Sequence, residues 1–99
     1  MINKIVKINV TSITSSGGIT TINVPETTIF ENDVNYCLFI FTTIPSGTNG
    51  TQINITNGTN TYTVYNKLAN YWRPCCGLNN RKYLTVRFLN DPNHFLKIN

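Results

Sequence analysis

Residues 51–64 read TQINITNGTNTYTV. Asn57-Gly58 is the strongest short hairpin signal, because a type I′ turn needs φ > 0 at both central positions. Centring a two-residue turn there pairs Thr56 with Thr59, Ile55 with Asn60, Ile53 with Tyr62 and Thr51 with Val64. Ile53, Ile55, Tyr62 and Val64 then share one face, while Asn54 and Thr61 share the other. Turn chemistry and period-two alternation agree on a β-hairpin with one buried face.

The flanking segments repeat this grammar. Asn35 to Ile44 is the most apolar run, with Tyr36, Leu38 and Ile40 on one side and Cys37, Phe39 and Phe41 on the other. Apolar residues on both sides predict a central strand buried on two faces, with Cys37 as core filler. Residues 2–13 read as one strand, with Val6, Ile8 and Val10 alternating against Lys7 and Asn9. Thr14-Ser15-Ser16-Gly17-Gly18 is a turn cluster, and Ile19 to Val24 then forms a hairpin with that first strand. Thr27 to Phe30 reads as a short strand between Pro25-Glu26 and the turn Glu31-Asn32-Asp33. Lys82 to Leu89 resumes alternation, with Leu84, Val86 and Phe88 inward and Thr85 and Arg87 outward. Asn90-Asp91-Pro92-Asn93 turns the chain into a last strand, Phe95 to Ile98. Tyr65 to Asn80 has no clean period and reads as a loop or a bulged strand.

Composition supports the same class. Of 99 residues, 16 are Asn, 15 Thr and 12 Ile, and only one is Ala. Alanine is the best helix former and β-branched residues favour strands, so a helical bundle is excluded. With 40% hydrophobic residues the chain is no disordered tail. The expectation is a single all-β domain over 1–99: a small β-sandwich or barrel of about seven or eight mostly antiparallel strands. No long apolar run resembles a signal peptide or a membrane span. The expected protein is therefore soluble and not exported by a standard signal.

Charge is sparse and uneven. Only 12% of residues are charged, and the net charge is +4. Residues 8–66 carry just Glu26, Glu31 and Asp33. Residues 67–99 carry Lys67, Arg73, Arg81, Lys82, Arg87 and Lys97 against Asp91. Such a chain suits an acidic protein surface or a nucleic acid, although spaced cations also simply solvate strand faces.

Catalytic chemistry finds little to work with. Glu26, Glu31, Asp33 and Asp91 lie in or beside turns, and turn structure accounts for them better than a paired-carboxylate site. His94 reads as a half-exposed histidine at a strand end. Cys75 and Cys76 are adjacent, whereas zinc-binding thiols are spaced two to four residues apart so that both converge on one ion. An odd count of three cysteines argues against a disulfide framework. Gly47-Thr48-Asn49-Gly50-Thr51 lacks the lysine and helix of a phosphate-binding loop. No catalytic residue, metal or cofactor is expected.

The segment Tyr71-Trp72-Arg73-Pro74, followed by Arg81, Lys82, Tyr83 and Arg87, combines the side chains enriched at interface hot spots. Tyr71, Trp72, Arg73, Arg81, Lys82 and Arg87 are the candidate protein-interface residues. The plain alternative is that Trp72 caps the core under a loop. A single-stranded nucleic acid stacking on the aromatic rings is a weaker fit.

These features resemble the small all-β proteins of tailed-phage virions, in particular capsid decoration (cement) proteins. The likeness lies in length, strand-after-strand layout, the empty catalytic inventory and Asn/Thr-rich loops such as Ser46 to Thr51. Val24-Pro25-Glu26-Thr27-Thr28 and Tyr71-Trp72-Arg73-Pro74-Cys75-Cys76 also resemble proteins of low-GC bacterial prophages. The resemblance implies a non-enzymatic virion structural protein that binds the outer capsid lattice and stabilises it by bridging subunits. Its implied partner is the major capsid protein or another virion protein, with homo-oligomerisation open, no membrane, and nucleic acid the weaker expectation. The implied location is the capsid surface, after host cytoplasm during assembly. Head–tail connector, tail and fibre-base roles are the neighbouring alternatives. A carbohydrate or cell-surface binding module is the alternative from another class, since Tyr62, Tyr65, Tyr71 and Trp72 could stack on sugars.

Overall fold

The computed structural model describes residues 5–44, 52–68, 71–74, 78, 81–90 and 92–98, and for 67, 68 and 71–74 the backbone only. Among these the chain forms nine strands and no helix. They are β1 (Ile5–Asn9), β2 (Ser12–Ser16), β3 (Ile19–Asn23), β4 (Val34–Phe39), β5 (Gln52–Thr56), β6 (Thr61–Leu68), β7 (Tyr71–Pro74), β8 (Tyr83–Asn90) and β9 (Asn93–Lys97). The all-β class is as the alternation predicts.

The strands join one sheet in the order β1-β4-β8-β9-β6-β5-β3-β2, with β7 attached to β6. Pairing is mostly antiparallel; β1–β4, β3–β5 and β6–β9 are parallel. The two end strands, β1 and β2, are consecutive in the chain. Val10 N–H donates to the Phe39 carbonyl at 3.0 Å, and Thr11 N–H donates to the Asn23 carbonyl at 2.8 Å. One segment thus leaves β4 and joins β3 within two residues, so the sheet curls on itself as a small barrel or sandwich. Ile8, Val10 and Ile13 are all buried. Three such residues at these numbers require the alternation to slip at Thr11–Ser12, which is how a bent strand keeps its apolar side inward at a corner. The uninterrupted strand expected over 2–13 is therefore two strands, and Thr14–Ser16 belongs to β2 rather than to a turn.

The core is lined by Ile22, Leu38, Ile53, Ile55, Val64, Leu84, Val86 and Phe95, each no more than 1% exposed. One end is filled by rings. Phe30 meets Tyr36 at 5.2 Å, Tyr62 at 6.1 Å, Phe88 at 5.7 Å and Phe95 at 4.9 Å between centroids. The segment carrying Phe30 connects β3 to β4 and crosses that end as a loop. The short strand expected over Thr27 to Phe30 does not form; Phe30 is a plug, and a plug has no ladder to join.

The 51–64 hairpin keeps its predicted faces but not its register. Ile53 pairs with Val64, Ile55 with Tyr62 and Thr56 with Thr61, leaving a four-residue loop, Asn57–Asn60. Gly58 has φ +91°, whereas Asn57 stays outside the positive-φ region, so the type I′ condition fails. Asn57 is instead buried, at 9% exposure. Its Oδ1 accepts from Thr59 N–H at 3.0 Å and Asn60 N–H at 2.9 Å, and its Nδ2 donates to the Thr28 carbonyl at 3.0 Å. Those bonds hold the wider loop.

The expectation of a strand buried on both faces is also corrected. Tyr36, Leu38 and Ile40 face the core, but Cys37 and Phe39 are only half-buried and Phe41 is 79% exposed. A barrel covers one face of each strand, and no helix among the described residues covers the other. Cys37 is accordingly on the outer side and not core filler.

Candidate functional site

The interface residues expected from sequence fall on separate parts of the sheet. Tyr71, Trp72 and Arg73 lie on β7, which pairs with the C-terminal half of β6: Leu68 with Tyr71, Lys67 with Trp72 and Asn66 with Arg73. Arg81 and Lys82 lead into β8, where Ile40 N–H donates to the Lys82 carbonyl at 2.8 Å. Arg87 sits in the middle of β8, with β9 and β6 between it and β7 in the sheet order. Its Nε donates to Asn35 Oδ1 at 2.9 Å, and its guanidinium lies 3.7 Å from Asp33 Oδ1. Arg87 therefore ties β8 to β4 as well as facing solvent. Cys75 and Cys76 lie outside the described residues.

Outward side chains divide the molecule into two unlike halves. On β2, β3, β5 and β6 they are neutral hydroxyls and amides over most of the surface, bonded to one another. Gln52 Nε2 donates to Asn54 Oδ1 at 2.9 Å, Thr63 Oγ1 donates to Asn54 Oδ1 at 3.0 Å, and Thr61 Oγ1 donates to Thr56 Oγ1 at 3.0 Å. On β1, β4, β8 and β9 apolar and cationic side chains join polar ones such as Asn35 and Thr85 on the outward side. Ile5 is 55%, Phe41 79%, Tyr83 46% and Ile98 47% exposed. Phe39 pairs with Tyr83 across the ladder and stacks on Phe41 with centroids 5.9 Å apart and planes 5° from parallel. Lys7 Nζ lies 5.9 Å from the Phe39 ring centroid. Lys82, next to Tyr83, is exposed.

The sequence hid this strip because its residues sit in the run that looks most like core. The missing signal was a covering layer: among the described residues no helix and no second sheet packs outside β4.

A groove of about 440 Å³ opens between β6 and β9, lined by Thr61, Tyr62, Thr63, Tyr65, Pro92, Asn93 and His94. β6 and β9 form ladder pairs at Val64–Phe95 and Tyr65–Leu96, and the groove lies beside the Thr61–Thr63 and Pro92–His94 segments that precede them. Tyr65 and His94 meet edge to face, with centroids 5.6 Å apart and planes at 81°. His94 Nδ1 also contacts the Pro92 carbonyl, which fixes the ring over the turn. Tyr62 is held by Phe30, Phe88 and Phe95. Neither tyrosine hydroxyl of the groove is hydrogen-bonded among the described residues. His94 is half-buried at the second position of β9, the strand-end place expected of it.

The described residues contain no group of three or more His, Cys, Asp or Glu side chains arranged to hold a metal ion. No protein-family model, curated protein or solved structure matches the chain.

Proposed function

We propose that the chain is a non-enzymatic structural protein of a phage virion, a capsid decoration protein that docks on the outer lattice through the β1-β4-β8-β9 face. The observation that carries this reading is the outward strip Phe39, Phe41 and Tyr83 with Lys7 over the Phe39 ring. Clustered exposed apolar groups mark contact surfaces, and an aromatic centre with a lysine beside it suits a protein partner that offers a carboxylate next to an apolar spot. The neutral Thr/Asn half suits the opposite, solvent-facing side. A protein that reinforces a lattice also needs no reacting groups, which agrees with the turn-bound carboxylates.

The experiment is co-purification with particles from lysates of cells producing the phage. Hundreds of copies per particle support decoration, and a dozen or fewer point to a connector or tail role. Protein found only in the free fraction overturns the reading. Phe41→Ser with Tyr83→Ser should lower occupancy at least about tenfold, as expected for central aromatic anchors, without lowering the thermal midpoint. Trp72→Ala with Arg73→Ala is the comparison pair. If that pair releases the protein and the Phe41 pair does not, docking runs through β7 instead.

A further inference from the structure

We infer that the groove between β6 and β9 is a binding site for the ring of a neutral sugar. The inference stands apart from the capsid reading and is tested without particles.

Size comes first. A volume of about 440 Å³ falls in the range of small-molecule clefts and accommodates one or two pyranose rings. Surface chemistry comes next. A pyranose is two-faced: a patch of C–H groups on one side, and hydroxyls that donate and accept around its rim. Tyr65 and His94, at 81° to each other, form a right-angled aromatic corner. One ring can take the C–H face while the other borders the ring edge. The hydroxyl of Tyr65 and the exposed amide of Asn93 then supply donors and acceptors to the rim.

Pre-organisation favours binding over mere contact. Tyr62 is held by three ring contacts, so the part of the β6 wall that it anchors is in place before a ligand arrives. Thr61 and Thr63 have their hydroxyl protons committed to Thr56 and Asn54, which stiffens the β6 wall. Little side-chain freedom remains to be lost.

Other ligand classes fit less well. Among the described residues the lining contains no Lys, Arg, Asp or Glu, so these residues offer neither a cation for phosphate or carboxylate nor a carboxylate for a basic group. An extended peptide adding to β6 needs a strand edge of ordinary length. The edge here spans only Thr61 to Thr63 before β9 closes it at Val64.

The test is a heteronuclear NMR titration of the full chain with lactose, cellobiose, maltose and N-acetylglucosamine, each to about 20 mM, enough to reveal a millimolar Kd. Sialyllactose and inorganic phosphate serve as charged comparisons. The expected result is saturable shifts at the amides of 61–65 and 93–95 with at least one neutral sugar. Tyr65→Ala should weaken binding about tenfold or more, as for an aromatic anchor. Asn93→Ala should weaken it with the unfolding midpoint unchanged, and it carries the test if the tyrosine variant fails to fold. Absence of shifts at the groove with all four sugars overturns the inference. Shifts confined to another surface, or tighter binding of sialyllactose or phosphate there, overturn it too.

Discussion

Asn57 joins two parts of the chain that sequence distance separates. Its side chain caps the β5–β6 loop through Thr59 and Asn60 and reaches the Thr28 carbonyl in the β3–β4 connection. A buried amide with all these bonds contributes modestly when satisfied, but removing it strands its partners. Asn57→Ala should therefore destabilise the domain by about 1–3 kcal/mol, read as a lower urea midpoint at unchanged m-value. Asn57→Asp keeps the two acceptor bonds and loses the donor to Thr28, so its midpoint should fall between wild type and Asn57→Ala. An alanine variant as stable as wild type would mean that the loop is held by something else. Asn57 itself was legible as a turn residue. Its third bond was not, because a contact across 29 positions leaves no mark on local pattern.

At the scale of elements, the two-residue turn expected at Asn57-Gly58 is found one hairpin earlier. Ser16 pairs with Ile19, and Gly17 and Gly18 between them have φ +59° and +81°. Both central residues are thus in the region that a type I′ turn requires. A Cβ at Gly17 would meet nothing within 4 Å, so substitution there reports backbone strain alone. Gly17→Ala should cost about 1 kcal/mol, and Gly17→Asn clearly less, because asparagine tolerates the left-handed region. Equal losses for both variants would show that the side chain is touching a neighbour. Alternation identified the inward residues of β5, β6 and β8 correctly, since period two depends only on which side meets the core. It could not tell whether the other side of β4 was covered. An outward Phe39 and Phe41 look the same in sequence as a buried pair, and only the number of layers separates them. Alternation placed Arg87 on the outward side of a clean strand, while Tyr71–Arg73 lie inside the stretch without period, where it could not assign a side.

For the molecule as a whole, the end of the barrel beneath Phe30 connects its two halves. The loop from β3 to β4 crosses there, and Tyr36 on β4 pins it: Glu31 N–H donates to the Tyr36 hydroxyl at 2.7 Å, and that hydroxyl faces the Ile29 carbonyl at 3.4 Å. Neither the crossing nor the bend of the 5–16 segment that closes the sheet was readable in sequence, since both are set by which distant strands meet. The Tyr36 side chain is 2% exposed. Burial raises its pKa above the usual 10.0, the bond from the Glu31 amide opposes that, and the Glu31 carboxylate adds to it. Below pH 10 the phenol is neutral in both folded and unfolded chains and stability is unaffected. Above it the unfolded chain releases the proton first, so stability declines as pH rises toward and through the folded pKa. Wild type should lose urea resistance more steeply than Tyr36→Phe between pH 9 and pH 11.5, with the curves converging from a wild-type advantage at neutral pH of about 1 kcal/mol for the lost hydrogen bond. Comparing the two proteins cancels every other group that titrates in alkali. Parallel curves would show that Tyr36 ionises as readily in the folded barrel as in the open chain, and that the Phe30 end is wetter than its packing implies.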